Sequence, residues 1–349
     1  HCLHHFDPAR VTAAVALPRG SALTPLIRET GAEAIETDAG RDASHEAGAI
    51  RAYCRVIRAW RPDIVHTHSA FDARVAAYLC GVKSRIYTRH SVFEPSARLT
   101  AFPGKQIAGF VNNTLATRII AVADAAADNL TATGVRPDKI TVILNGVEPL
   151  AAAKPEERAA LRASLGIAPR DFVCGISARF EPYKGHADLL EAAKTVAAAR
   201  PDVRFLLMGT GSTEEETRRR AHEAGLDGHV IFTGFVPDVA RYYNIMDLSL
   251  NCSYGTEATS LALIEAMSLG IPAVVTRFGG NPGVIRDGEN GLLTPVRDSA
   301  AMAQAILRVA SDRALYDALS AGAARIFFEK FTAEAMTRRL EAVYEEEAV

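Results

Sequence analysis

Two glutamates, Glu257 and Glu265, stand with seven residues between them in SYGTEATSLALIEAMSLG, residues 253–270. The first lies in a polar Gly/Thr turn and the second in an apolar-periodic run. Thr259 and Ser260 close the turn, and both residue types cap helix starts well, so a helix is expected from Leu261. The free amides and positive dipole end of such a helix suit an anion. A carboxylate in the loop suits a sugar hydroxyl. Glu265, a little over one turn into the helix, could reach a second part of the same ligand.

A second set lies in ISARFEPYKGH, residues 176–186, between a strand pattern and a helix pattern. Arg179 and Lys184 share that loop. A guanidinium can chelate diphosphate oxygens in a fork, and an ammonium adds a mobile point charge. A solvated basic loop explains the same pair less specifically. Gly209-Thr210-Gly211 follows the strand pattern of residues 203–208, but Glu214 stands where a dinucleotide fingerprint has its third glycine. A close-packed strand-to-helix turn accounts for it equally well. In the first half, His66, His68 and His90 end or follow strands in IVHTHSAF and IYTRHSVF. Imidazole there can bond a sugar hydroxyl or pair with phosphate, and His66 is more simply a strand-end residue.

These residues must be positioned by a regular scaffold. The chain has 349 residues, 48% apolar, which accommodates two domains. Short β-rich runs alternate with helical patterns throughout, the signature of parallel sheets covered on both faces. Strands are expected near 11–17, 34–37, 64–66, 85–88, 119–122 and 141–144. A second series is expected near 172–176, 203–208, 230–232, 248–250, 273–276 and 292–293. The segment LAAAKP, residues 150–155, reads as the hinge. Open parallel sheets bind ligands at the carboxyl ends of their strands. All the motifs above fall there or on the helix that follows.

A net charge of −2 gives no reason to expect nucleic acid. The first 150 residues are mildly basic, a weak signal for an anionic surface or acceptor. Five scattered cysteines without a CxxC fit buried thiols in a reducing, cytoplasmic setting. No spanning segment or signal peptide is visible. The cluster His1, Cys2, His4 and His5 reads as the tail of a helix rather than a metal site. Neither a D-x-D nor any other carboxylate arrangement for a divalent metal is visible, so no metal and no cofactor are expected. The cationic loop and the helix start near Thr259 would have to neutralise a leaving group. Residues 98–118 mix Phe, Ile and Leu with Arg and Lys. Such a stretch can lie on an anionic membrane, though a packed helix with a basic outer face is the simpler reading.

Together these residues resemble the retaining family-4 glycosyltransferases of the GT-B fold, over nearly the whole chain and most closely from Ile176 to Pro295. The resemblance implies an α/β fold of two doubly wound Rossmann-like domains facing across a cleft. The first would be an acceptor domain, residues 1–149, with its first strand and glycine-rich loop missing before His1. The second would be a nucleotide-sugar donor domain, residues 150–330. The closing helix, residues 331–349, would pack back on the first. It implies metal-independent sugar transfer from a nucleotide-diphosphate sugar with retention, as in polysaccharide biosynthesis. Arg179 and Lys184 would grip the donor diphosphate, Glu257 the sugar hydroxyls and Glu265 the ribose. The amides around Thr259, Ser260, Leu261 and Ala262 would lie against phosphate and sugar. Gly209 and Gly211, with Phe235 and Val236 of FTGFVPD, would flank the base, and His90 would face the transferred sugar. A lipid-linked or saccharide acceptor at the inner face of the cytoplasmic membrane fits this reading. The usual Pro-Glu after the GG turn is here Pro282-Gly283. A nucleotide-sugar epimerase, a dinucleotide-dependent oxidoreductase and a non-catalytic nucleotide-binding protein are the competing readings.

Overall fold

The computed structural model describes residues 1–39, 47–92 and 95–348. The described residues divide into two compact units: those of His1–Gly146 with Ala333–Val349, and those of Val147–Thr332. The chain leaves the first unit at Gly146 and returns at Ala333, just past a bridge between Val147 and Thr332.

The second unit holds a six-stranded parallel sheet. Its strands are β7 (Phe172–Ser177), β8 (Val203–Met208), β9 (Val230–Gly234), β10 (Leu248–Asn251), β11 (Ala273–Thr276) and β12 (Gly291–Thr294). Their spatial order is β12-β11-β10-β7-β8-β9. Consecutive residues of a strand point to opposite faces, and here both faces are apolar. Cys174, Ile176, Phe205 and Leu207 enter one buried cluster with the helices His186–Ala199 and Ser299–Ser311. Val173, Leu206 and Met208 enter another with Tyr243, Ile245 and Ala266. This two-sided burial explains why the strands read as near-continuous apolar runs. The order reverses between β7 and β10, so the crevice for a ligand opens at the carboxyl ends of those two strands.

Among its described residues the first unit has six strands in two parallel sheets. β1 (Ala14–Pro18) pairs with β2 (Glu33–Thr37), while β3 (Ile64–His68), β4 (Ser84–Arg89), β5 (Arg118–Ala121) and β6 (Ile140–Val142) run in sequential order. The last helix, Ala333–Ala348, belongs to this unit. Its Leu340 and Val343 pack on Ile86, Ile120 and Ile143 of the four-stranded sheet. The expected helix tail at the start is a short helix, Cys2–His5, packed on the closing helix, and Asp7 donates its amide to Glu341. All five cysteines are free, with Cys2 and Cys80 half-buried rather than buried. Among the described residues no helix is long and apolar enough to cross a membrane.

Candidate functional site

Four loops meet at the carboxyl end of the second sheet, and glycines let them touch. Gly185, at φ +73°, closes the loop after β7; a Cβ there would stand 2.2 Å from the carbonyl oxygen of Cys252 after β10. Gly209, at φ +135°, would place a Cβ 2.1 Å from the carbonyl oxygen of Ala178. Only glycine accepts both the dihedral and the approach. The glycine turn after β8 is thus a backbone contact with the β7 loop, tied further by Phe180 N–H to Thr210 O at 3.0 Å. The close-packing account of MGTGS holds on geometry. The amide of Gly209 also donates to Gly234 O at the end of β9. Beyond it Phe235 is exposed, while Val236 is buried with Tyr243.

Lys184 and Glu257 come together across these loops. Lys184 Nζ stands 2.9 Å from Glu257 Oε2. The same oxygen accepts from Asn251 Nδ2 at 3.0 Å and from Ser253 Oγ at 2.9 Å. Three donors on one oxygen hold a buried carboxylate in place. Asn251 in turn accepts from the Ser253 amide and from Asn281 Nδ2, and Asn281 Oδ1 is buried without a partner. The backbone of Glu257 is gripped from the other side. Gly280 donates its amide to Glu257 O at 2.9 Å. A Cβ on Gly279, at φ +54°, would meet that oxygen at 2.1 Å. The GG turn after β11 is therefore part of how Glu257 is held. Gly283 is different: a Cβ there would meet nothing within 4 Å, so the departure from Pro-Glu falls at a position facing open space.

Arg179 is exposed and donates to the Tyr183 hydroxyl at 3.1 Å, with no carboxylate partner among the described residues. Its guanidinium keeps most of its donors for a ligand. Glu265 lies beside the buried hydroxyl of Tyr243, which also neighbours Ser177 at the end of β7. Burial pushes the Glu265 carboxyl up, and the Tyr243 hydroxyl opposes that shift. Glu257 therefore meets the loop after β7 through Lys184, and Glu265 neighbours the end of β7 by way of Tyr243. His186 stacks on Phe180 at 4.1 Å with neither ring nitrogen partnered, and burial, then Lys184, lowers it to about 4.

The helix Leu261–Ser268 starts where the sequence places it, with Ser260 at the N-cap. Ser260 makes no side-chain capping bond, contrary to the expected cap, so its hydroxyl leaves the first amides of Leu261 and Ala262 to other acceptors. Tyr183, Asn251, Ser253, Tyr243 and Asn281 were not singled out by the sequence. Asn251 and Ser253 sit beside Glu257 in one strand-end segment, which is the signal that marks them.

In the first unit the three histidines form a row at the carboxyl ends of β3 and β4. His66 is a satisfied, half-buried residue, its ring nitrogens 2.7 Å from the Tyr344 hydroxyl and 2.6 Å from Thr88 Oγ1. Its ring stacks on His68 at 4.5 Å. His68 Nδ1 lies 2.8 Å from His90 Nε2. Burial lowers all three, His68 to about 4 with His90 adding to the shift. The row is therefore neutral at physiological pH.

Comparison with known proteins follows the same division. A family model for Glycosyltransferase Family 4 matches residues 14–149, and one for Glycosyl transferases group 1 matches residues 157–326. The Bacillus subtilis (strain 168) protein named as glycosyltransferase EpsD is 30% identical over 72% of this chain and 68% of its own length. A D-inositol 3-phosphate glycosyltransferase of Segniliparus rotundus is 30% identical over 71% of this chain, which spans only 58% of that relative. Among solved structures, Anabaena Alr3699/HepE in complex with UDP superposes with a TM-score of 0.84 at 23% identity, covering 99% of this chain and 95% of the other. A glycosyltransferase from Rickettsia africae superposes at 0.81 with 19% identity, covering 96% and 90%. With parallel, Rossmann-like strand arrangements in both units, the chain belongs to the group 1, family-4 glycosyltransferases of the GT-B fold.

Proposed function

We propose that the protein transfers a sugar from a nucleotide-diphosphate donor to an acceptor hydroxyl, with retention of configuration and without a metal. The observation that carries this reading is the Lys184–Glu257 pair, with exposed Arg179 in the same loop as Lys184, at the switch point of the second sheet. As the glycosidic bond breaks, negative charge grows on the departing diphosphate. Arg179, Lys184 and the uncapped start of the helix Leu261–Ser268 are cationic or dipolar groups fixed in advance, which is how such charge is best stabilised. Glu257 Oε2 is fully engaged, so Oε1 is the oxygen offered to hydroxyls of the donor sugar. With no carboxylate assigned as a nucleophile, the acceptor attacks on the face the diphosphate leaves, and the leaving phosphate takes its proton. Glu265 holds the ribose. The solved relative bound to UDP supports a uridine donor as the first candidate to assay.

The experiment pairs Glu257→Gln with Glu265→Ala. The first should impair transfer with nucleoside diphosphate affinity within a few-fold. The second should weaken the nucleotide by ~1–3 kcal/mol, the range for hydrogen bonds to a charged group. Calorimetric binding beside a transfer assay reads both. Two variants that bind and transfer like the parent would make the motif structural. Nucleotide sugar epimerised in place, with no transfer to any acceptor, would favour the epimerase.

A specific surface favours a lipid-linked acceptor at the inner face of the cytoplasmic membrane, or a saccharide carried there. Phe102, Ile107 and Phe110 are exposed beside Arg98 and Lys105. Exposed apolar side chains with flanking cations suit an anionic bilayer surface. Co-sedimentation with vesicles containing anionic lipid should be lost in Phe102→Ser/Phe110→Ser. Equal sedimentation of that variant would remove the membrane contact.

A further inference from the structure

The row of histidines holds one contact that the proposed function does not use. His68 Nδ1 and His90 Nε2 are 2.8 Å apart, and the rings lie stacked with centroids 5.1 Å apart. Each neutral imidazole has one N–H and one bare nitrogen. A hydrogen bond between them therefore needs one ring to donate and the other to accept, which couples their tautomers. If His68 donates from Nδ1, His90 must carry its own proton on Nδ1. If His90 donates from Nε2, His68 must carry its proton on Nε2. Both rings always share the same tautomer. The contact also consumes His90 Nε2, so His90 Nδ1 is the one ring nitrogen of that residue left for a ligand.

We propose that His68 is a positioning residue for His90: it accepts the His90 Nε2 proton at its own Nδ1, so that His90 presents a bare Nδ1 as acceptor to a substrate hydroxyl. This rests on the transferase reading, whose substrates carry hydroxyls. The Nε2–H form is the intrinsically favoured tautomer of a free imidazole, and the pair lets both rings adopt it together. The supporting geometry is fixed. His68 ends β3, its ring is backed by the stacked ring of His66, and His66 is pinned on both nitrogens by Tyr344 and Thr88. The rigid backing holds His68 in place, and His68 sets the direction of His90. A second partner on one ring nitrogen setting what the other presents is a general property of histidine sites.

The test uses full-length protein labelled with 15N at histidine, with His90 assigned by its loss in His90→Ala. In the parent at pH 7.5, His90 should show a protonated Nε2 and a bare Nδ1, and His68 the same tautomer. His68→Phe keeps a ring in the stack but removes the acceptor. His90 should then drift toward the tautomer mixture of a free imidazole. Turnover should fall about ten-fold, with the donor KM within two-fold. His68→Asn places an amide oxygen or nitrogen at the Nδ1 position and should recover most of that loss. A His90 tautomer unchanged in His68→Phe, a parent His90 carrying its proton on Nδ1, or no recovery in His68→Asn would each overturn the proposal. Activity distinguishes the two levels. No transfer by the parent to any acceptor removes the reading beneath the proposal, whereas full activity of His90→Ala, or an inactive His90→Ala beside a normal His68→Phe, removes the proposal alone.

Discussion

The two units end their central strands in opposite electrostatic styles. In the second unit the strand ends carry permanent charge: Lys184 bound to Glu257, with Arg179 exposed beside them. In the first unit they carry a row of imidazoles that burial keeps neutral. The fold class is the same and the placement relative to the sheet is the same. What differs is the chemistry each end can serve. Fixed cations suit a diphosphate whose charge rises during reaction, while neutral imidazoles suit uncharged hydroxyls and would be of little use to a departing anion. A common scaffold thus sets where groups stand, and the loop residues set what they do.

The strongest blow to this contrast is Lys184→Ala. It removes one preorganised charge, and turnover should fall ~10²–10³-fold, the usual loss for one such group. The variant also leaves Glu257 buried with one charge partner fewer, so a melting curve should accompany the steady-state assay. Unchanged turnover would mean that the charged end is structural and the contrast empty.

A smaller effect sharpens the contrast by pH. A buried histidine lowered in the folded state stays neutral where the unfolded chain already binds a proton. Between about pH 6.5 and pH 4 the unfolded state therefore holds more protons, and stability falls as pH falls. The first unit has three histidines lowered in this way, half-buried His66 and the more exposed His68 and His90. The second has His186, set against Asp188, Asp247 and Glu265, whose raised carboxyls gain stability as pH falls through their folded values. Hydrogen exchange at pH 7 and pH 5 should show the first unit loosening more, after correction for intrinsic exchange. Equal loosening would show that the histidine row is not held neutral by the fold.

The smallest effect tests how far the rigid end extends. Gly283→Glu places a side chain in open space, and stability should change by less than ~0.5 kcal/mol. A large drop in melting temperature would mean that the loop after β11 packs more tightly than its geometry indicates.

Much of the second unit was legible because its strands are apolar on both faces and each is followed by a helix. Arg179, Lys184, Glu257 and Glu265 stood out by type and spacing. What the sequence could not display is contact between loops that are remote along the chain. Asn251 and Asn281 look like ordinary polar residues until β10 and β11 lie side by side, when one holds Glu257 and the other holds its neighbour. The role of Gly279 against the Glu257 carbonyl is hidden for the same reason. The missing side-chain bond at Ser260 is a rotamer matter that residue type does not decide. In the first unit, the separation of β1 and β2 from the other four strands depends on pairing, which strand patterns alone do not specify.

The glycine contacts between the loops carry a consequence for redesign. Gly185, Gly209 and Gly279 meet carbonyl oxygens of Cys252, Ala178 and Glu257, atoms that every amino acid possesses. The approach of these loops to one another is thereby set by main chain. Exposed side chains at the rim, such as Thr210 and Phe235, are not part of those contacts. A combinatorial library confined to those rim positions, with the glycines left untouched, should retain folded members at high frequency. Those positions can then be revised by selection, natural or in the laboratory, without rebuilding the floor beneath them.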